Sequence, residues 1–229
     1  MYGCSLDWAG VVVLRLNGGV SLEEYFVENI WKPVGLQAPF PRFSIGTHPE
    51  YNAKAMGGAL LTPEGKLVPN DKWSFDNPED QDGGGGLSGT AKDYLAVLAD
   101  LVSDSPKLLK QETITEMFQP QLVNNSESMK NLLELRAAWD IVSGPITSDA
   151  VNHGLGGVLC IGDVPEIGQP GKTLAWGGAS NIVWWANREL HIAGFFATQQ
   201  TPFGNQIVAQ LVNAWKKDFW SQWNSTSHN

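Results

Sequence analysis

Two cysteines in 229 residues, Cys4 and Cys160, are too few and too far apart for a disulfide framework, and neither sits in a CxxC or metal-ligand cluster. Both are expected to be free thiols, and Cys4 has no neighbouring histidine to activate it. Basic charge is scarce: 15 Lys and Arg stand against 24 Asp and Glu, for a net charge of −9. Holding a phosphate backbone or an anionic bilayer requires clustered Lys and Arg that are missing here, which argues against nucleic acid and membrane partners. The apolar run Val11-Val12-Val13-Leu14 is far too short to cross a bilayer. No charged segment with a following apolar stretch and cleavage site opens the chain, so a soluble, cytoplasmic protein is expected. His48, His153, His191 and His228 are isolated from one another, with neither HExxH nor paired-ligand spacing, and no G-x-S-x-G elbow occurs. Neither a metal nor a cofactor is called for.

What is present suits a globular chain: 42% hydrophobic and 17% charged residues. Ten tryptophans are many. A carbohydrate-binding module could show such richness, but most of them stand at apolar-periodic positions where a large side chain fills a core. Residues 172–199 read as a buried β-hairpin or meander interrupted by Gly177-Gly178 directly after Trp176. Glycine weakens a strand and marks either a bulge beside a core side chain or a place where something approaches the backbone closely, such as a carbonyl seeking an N–H donor.

The order of elements predicts an α+β fold. Asp7 is positioned to cap a first helix ending near Gly18-Gly19, and Ser21 with Glu24 forms a capping box for a second that stops before Pro33. A hairpin is expected over 60–68, and Thr90 with Asp93 forms another capping box before a helix with Leu95, Leu98 and Val102 on one face, joined by Ala91 and Tyr94. The run Gly83-Gly84-Gly85-Gly86 is then a helix approach; a phosphate cradle would need Lys-Ser/Thr after its last glycine, where Leu87-Ser88 stands. Ser105-Pro106 suggests a helix start leading toward Met117. Strand signals dominate from Val151 to Thr198, and a last helix from about Asn205 to Trp223 carries Val208, Leu211, Val212, Trp215 and Phe219 on one stripe.

Tyr2-Gly3-Cys4-Ser5-Leu6-Asp7-Trp8-Ala9-Gly10, with Ser21 to Tyr25 and Glu28 to Leu36, resembles the stretch around the catalytic tyrosine of serine β-lactamase-like proteins, in particular the class C-like esterase and statin side-chain acyltransferase branch. The segment from Gly83 to Tyr94 is similar to that family's loop leading into a helix, and Trp176-Gly177-Gly178 falls where the family carries its third motif. The resemblance runs over nearly the whole chain. It implies an incomplete β-lactamase/transpeptidase-like fold: a helical region, an antiparallel sheet and a C-terminal helix. One domain is expected over 1–229, helical over about 1–150, with the sheet and last helix over about 151–225.

The resemblance also implies a chemistry and exposes a gap. In that family a Ser-x-x-Lys motif supplies nucleophile and base, and no serine here has lysine three positions on. The chain is therefore expected to be N-terminally truncated, with a longer product or another chain supplying the missing half. Tyr2 matches the tyrosine that shuttles the proton; Trp176, Gly177, Gly178 and Ala179 would flank the acyl group, the Ala179 N–H acting as an oxyanion donor. Trp176 in place of the family's lysine disfavours a carboxylate-bearing substrate and points to ester or thioester acyl donors, with a small-molecule acceptor. Without the nucleophile the isolated chain is expected to be inactive. The alternative is a catalytically dead small-molecule-binding or interaction protein. Loss of the covering half should leave apolar surface on the 174–199 strands or the last helix and a marginal monomer.

Overall fold

The computed structural model describes residues 3–43, 45–70 and 81–226, leaving Tyr2 outside the described residues. Helix α1 (Ser5–Leu16) is followed by α2 (Leu22–Phe26), which widens into a π-turn over Val27–Trp31. After the short α3 (Pro49–Asn52), strands β1 (Ala59–Leu61) and β2 (Leu67–Pro69) make the expected hairpin. Helices α4 (Ala91–Leu101), α5 (Gln111–Met117), α6 (Glu127–Glu134) and α7 (Asp140–Ser143) lead into β3 (Val151–His153), β4 (Val158–Cys160), β5 (Thr173–Gly178), β6 (Ile182–Asn187) and β7 (Ile192–Phe196). The two-residue β8 (Gln200–Thr201) and the 21-residue α8 (Gln206–Thr226) close the chain. Strands β3 to β7 form an antiparallel meander in sequence order, while β8 pairs parallel to β1 in a second sheet ordered β2-β1-β8. Helices first, then an antiparallel sheet closed by a helix, is the α+β arrangement expected.

Local chemistry accounts for several boundaries. Both capping boxes form: Ser21 Oγ accepts from Glu24 N at 3.2 Å while Glu24 Oε2 accepts from Ser21 N at 3.0 Å, and Thr90 with Asp93 repeats the pattern. Asp7 does not cap α1. It sits in the first turn and its carboxylate accepts the Gly84 N–H at 2.9 Å instead. Ser105-Pro106 starts no helix, because Asp100 accepts the N–H groups of Lys107 and Leu108 at 2.9 and 3.0 Å and holds the chain in a loop until Lys110. On α4 the buried face is Leu98 and Leu101 with Val102 at the cap, and Leu95 points outward.

The core lies between the five-stranded sheet and α8. Trp185 on β6 is fully buried, with ring centroids 4.8 Å from Trp220, 4.9 Å from Phe219 and 6.3 Å from Trp215. Gly194, opposite Trp185 in the β6–β7 register, makes this possible: a Cβ there would come within 2.4 Å of the indole. The buried stripe of α8 is Val208, Val212, Lys216 and Trp220, so Leu211 of the expected stripe is exposed and a lysine occupies the core. The opposite face of the sheet meets α4 and α5, where Trp184, Ala193 and Phe195 pack on Leu98, Leu101 and Ile114.

The four-glycine run is a seat for α1. A Cβ on Gly83 would lie 2.2 Å from the Leu6 carbonyl oxygen, and one on Gly84 would lie 2.7 Å from the Asp7 carboxylate, whereas Gly85 has open space around it. The helix approach read from the sequence is thus also a helix-packing surface. Among the described residues, exposed large apolar side chains occur on α1, on the β1–β2 hairpin and, on α8, at Ile207 and Leu211, and not on the 174–199 strands. Replacing Gly83 by alanine should displace α1 and lower stability by roughly 1–3 kcal/mol, while Gly85→Ala stays within about 0.5 kcal/mol. Urea denaturation of the two variants checks this, and equal stabilities would refute the seat.

Candidate active site

Strand β5 overhangs its neighbour. The β3–β4 hairpin pairs with β5 only as far as Ala175, opposite Val158, whereas β6 continues alongside through Gly178, opposite Ile182. Trp176, Gly177 and Gly178 thus run past the last β4 pairing while remaining paired to β6. Hairpin residues 154–157 turn away at this level: Gly154 N donates to the Gly157 carbonyl at 2.9 Å, and Gly157 lies so close to β5 that a Cβ would sit 2.6 Å from the Ala175 oxygen. Ala179 follows in the turn between β5 and β6 and is exposed.

That turn is held from behind. Asn181, with φ of 58° and no exposure, donates through Nδ2 to the carbonyls of Gln200 at 2.6 Å and Pro202 at 3.1 Å, and accepts the Gly204 N–H through Oδ1 at 2.8 Å. Thr198 Oγ1 donates to the Ser180 carbonyl at 2.5 Å. These bonds tie the backbone of the turn to residues 198–204.

The two glycines differ. A Cβ on Gly177 would meet the Ile182 oxygen at 2.4 Å and Val142 Cγ1 at 2.9 Å, so tight packing against α7 already demands glycine. On Gly178 the nearest atom would be Ile182 Cβ at 3.9 Å. Packing therefore does not account for the second glycine. On the other flank, His153 meets Trp176 edge to face at 5.7 Å, and its Nδ1–H donates to the Gly154 carbonyl at 2.6 Å. In the neutral ring that bond leaves the Nε2 lone pair available. Register also places Trp176 opposite Trp184 and Trp184 opposite Phe195, on which Tyr94 of α4 stacks at 4.9 Å. A crevice of ≈ 10 Å³ at the base of the strand, lined by Ala138, Val142, Trp176, Gly177 and Phe203, is far smaller than the ~300 Å³ of a small-molecule site.

Behind β5, α7 is tied down by a buried cation. Lys216 Nζ donates to the Val142 carbonyl at 2.5 Å and to Gln169 Oε1 at 3.2 Å, while Gln169 Nε2 reaches the Ser143 carbonyl at 3.3 Å and Cys160 Sγ at 3.4 Å. Lys216 and Gln169 together satisfy the last carbonyls of a four-residue helix, where positive charge is favoured. Its four-residue spacing from Val212 and Trp220 is the one sequence signal that separates this lysine from its exposed neighbour Lys217. Cys4 caps α1 without a side-chain bond and is exposed; Cys160 is buried, and both are free thiols. Among the described residues no group of three His, Cys, Asp or Glu side chains is arranged to hold a metal, and no helix is long and apolar enough to cross a membrane.

The family profile described as Beta-lactamase matches residues 4–213. The chain belongs to that family. It is 70% identical, over 228 residues, to "Acyltransferase calJ" of Penicillium decumbens, a match covering 100% of this chain and 54% of the relative. "Lovastatin esterase" of Penicillium rubens is 29% identical over 98% of this β-lactamase-family chain and 57% of its own length. Among solved structures, simvastatin synthase from Aspergillus terreus, in its LovD6 mutant, shares the fold with a TM-score of 0.86 at 28% identity, over 98% of this chain and 56% of the other. The chain spans about half the length of the relatives it matches.

Burial draws the Lys216 ammonium down to about 8 from 10.5 and pushes the Cys160 thiol up to about 11 from 9.0. Between pH 8 and 9 the unfolded chain holds the lysine proton that the folded one releases, so stability should rise by roughly 1 kcal/mol across that unit. Above pH 9.0 the unfolded thiol ionises while the folded one does not, which offsets the continuing lysine contribution and levels the curve. Urea midpoints against pH test this: Lys216→Met should abolish the rise, and parallel curves for both proteins would refute it.

Proposed function

We propose that this chain forms the acyl-facing wall of a β-lactamase-type acyltransferase or esterase, which moves an acyl group from an ester or thioester donor to a small-molecule acceptor or to water through an acyl-serine. The observation that carries the reading is the end of β5: Gly177 and Gly178 run past the last β4 pairing, the second a glycine on which a Cβ would make only ordinary contact among the described residues, followed by a turn locked through Asn181. The curated relatives bear acyltransferase and esterase names, and the whole-protein activity of those relatives is carried here as a proposal.

In this reading a serine Oγ outside the chain adds to the donor carbonyl while the Ala179 N–H donates a hydrogen bond to the developing oxyanion. The C–X bond then breaks, and the leaving alcohol or thiol takes the proton that the serine gave up, relayed by Tyr2. The acceptor hydroxyl next adds to the acyl-serine, its proton returns by the same path, and the serine is restored. Tyr2 needs a neighbouring cation for this, because a phenol near pKa 10 is otherwise a poor base. His153 and Trp176 form the side of the wall toward the β3–β4 hairpin, an apolar and aromatic surface suited to an uncharged acyl chain.

The test joins this chain to the non-matching part of the Penicillium decumbens relative and follows p-nitrophenyl butyrate. The isolated chain should leave the ester at its background rate, and the joined protein should turn it over. Ala179→Pro, which removes the N–H, should lower kcat by about 100- to 1000-fold, and Gly178→Val should raise KM while keeping the thermal transition. Binding of the ester without turnover in the joined protein would replace this reading with the binding-protein alternative.

A further inference from the structure

His153 stands at the end of β3 on a backbone tied down at each residue. Its N–H and that of Leu122 are both accepted by Oδ1 of the buried Asn152, at 2.8 and 2.9 Å, and its carbonyl accepts the Gln121 N–H at 2.9 Å. The next residues are equally fixed. Leu155 N donates to the Met117 carbonyl at 3.1 Å, and a Cβ on Gly154 would sit 2.4 Å from that same oxygen, so residue 154 has no room for a side chain. The Gly154 carbonyl, which accepts from His153 Nδ1–H at 2.6 Å, is therefore a firm anchor that sets the tautomer as well as the direction of the ring. In the neutral ring the proton is on Nδ1 and the lone pair on Nε2.

That lone pair has no use inside the fold. Among the described residues Nε2 bonds to nothing, yet it is not one of the enclosed polar atoms without a partner, as the Nε1 groups of Trp31, Trp185 and Trp220 are. It reaches solvent beside the Trp176 indole, which the ring meets at 5.7 Å and 69°. A molecule lying on Trp176 takes water from this nitrogen, and an acceptor stripped of water without a new donor costs about 1–3 kcal/mol. The molecule itself must bring the donor. A carboxylate has no proton to give, and an ammonium would meet no carboxylate among the groups that bond to or stack on His153. A neutral hydroxyl satisfies both conditions. We propose that His153 is a specificity-determining residue of the candidate site, its Nε2 accepting a hydrogen bond from a neutral hydroxyl on the molecule that lies against Trp176. The proposal rests on the acyl-transfer reading only for that molecule's place in the reaction, as a hydroxylated acyl donor or as an alcohol acceptor.

The full chain, carrying isotope-labelled histidine, is titrated at pH 8 with three probes and followed by nitrogen NMR. Methyl 3-hydroxybutyrate has a hydroxyl on its acyl part, butan-2-ol stands in for an acceptor, and methyl butyrate has no hydroxyl. The His153 Nε2 resonance should move with one of the first two and not with the third. His191 is the internal control: its Nδ1 also meets a carbonyl, that of Val102 at 2.9 Å, but it lies in the β6–β7 turn at the other end of the sheet. A resonance that moves with neither hydroxyl probe, that moves equally with methyl butyrate, or that moves together with His191 overturns the proposal. In the joined protein His153→Phe should then lower one of two ratios by roughly tenfold. If the hydroxy ester moved Nε2, the ratio is the kcat/KM preference for p-nitrophenyl 3-hydroxybutyrate over p-nitrophenyl butyrate; if the alcohol did, it is transfer to butan-2-ol over hydrolysis. Turnover in which neither ratio responds overturns the proposal and leaves the acyl-transfer reading standing. An Nε2 that answers a hydroxyl probe in a joined protein without turnover supports the contact and defeats that reading.

Discussion

The clamp of Trp185 between β6 and α8 is the contact on which the arrangement of the site rests. An indole of this size buries on the order of 200 Å², equivalent to about 5 kcal/mol at 25 cal/mol per Å². The Trp185 Nε1–H is buried without a partner, as is that of Trp220, and each such group costs about 1–3 kcal/mol. Burial and ring contacts outweigh that cost. Because β6 is the strand to which the overhanging end of β5 is bonded, fixing β6 against α8 also fixes Trp176, Gly177 and Gly178.

Three further devices act on the same strand from different directions. Asn181 locks the turn beyond it through residues 200–204, and β8 in turn bonds to β1, so the hairpin at 59–69 is tied to the rim of the candidate site. Helix α7 presses Val142 against Gly177 and is itself held by Lys216 and Gln169. The aromatic sequence Trp176, Trp184, Phe195 and Tyr94 carries the sheet across to α4. The outcome is a strand end held from several directions, with α1 resting on a glycine seat near the N-terminal end of the chain.

The chain belongs to the Beta-lactamase family and spans about half the length of the relatives it matches. No serine in its sequence is followed by lysine three positions on, and the end of β5 with its locked turn is the part of the fold on which the acyl-transfer proposal stands.

Motifs whose physics is local were legible in the sequence: the Ser21–Glu24 and Thr90–Asp93 boxes, the hairpin near residues 60–68, the meander after Val151, the last helix, and the family resemblance itself, which rests on the order of short segments. Where a side chain's partner is distant in the chain, the sequence reading failed. Asp7 was read as a cap and binds Gly84; Ser105-Pro106 was read as a helix start and is overruled by Asp100; Leu211 was placed in a stripe that Lys216 occupies. The same division runs through the candidate site. Sequence singled out Trp176-Gly177-Gly178, but only the tertiary structure could separate a glycine demanded by Val142 and Ile182 from one on which a Cβ would make ordinary contact, or bring His153 to Trp176. Capping and periodicity depend on neighbours within a few residues, whereas close approach, a strand that outruns its partner and a buried ammonium are set by elements that meet only when the chain is folded.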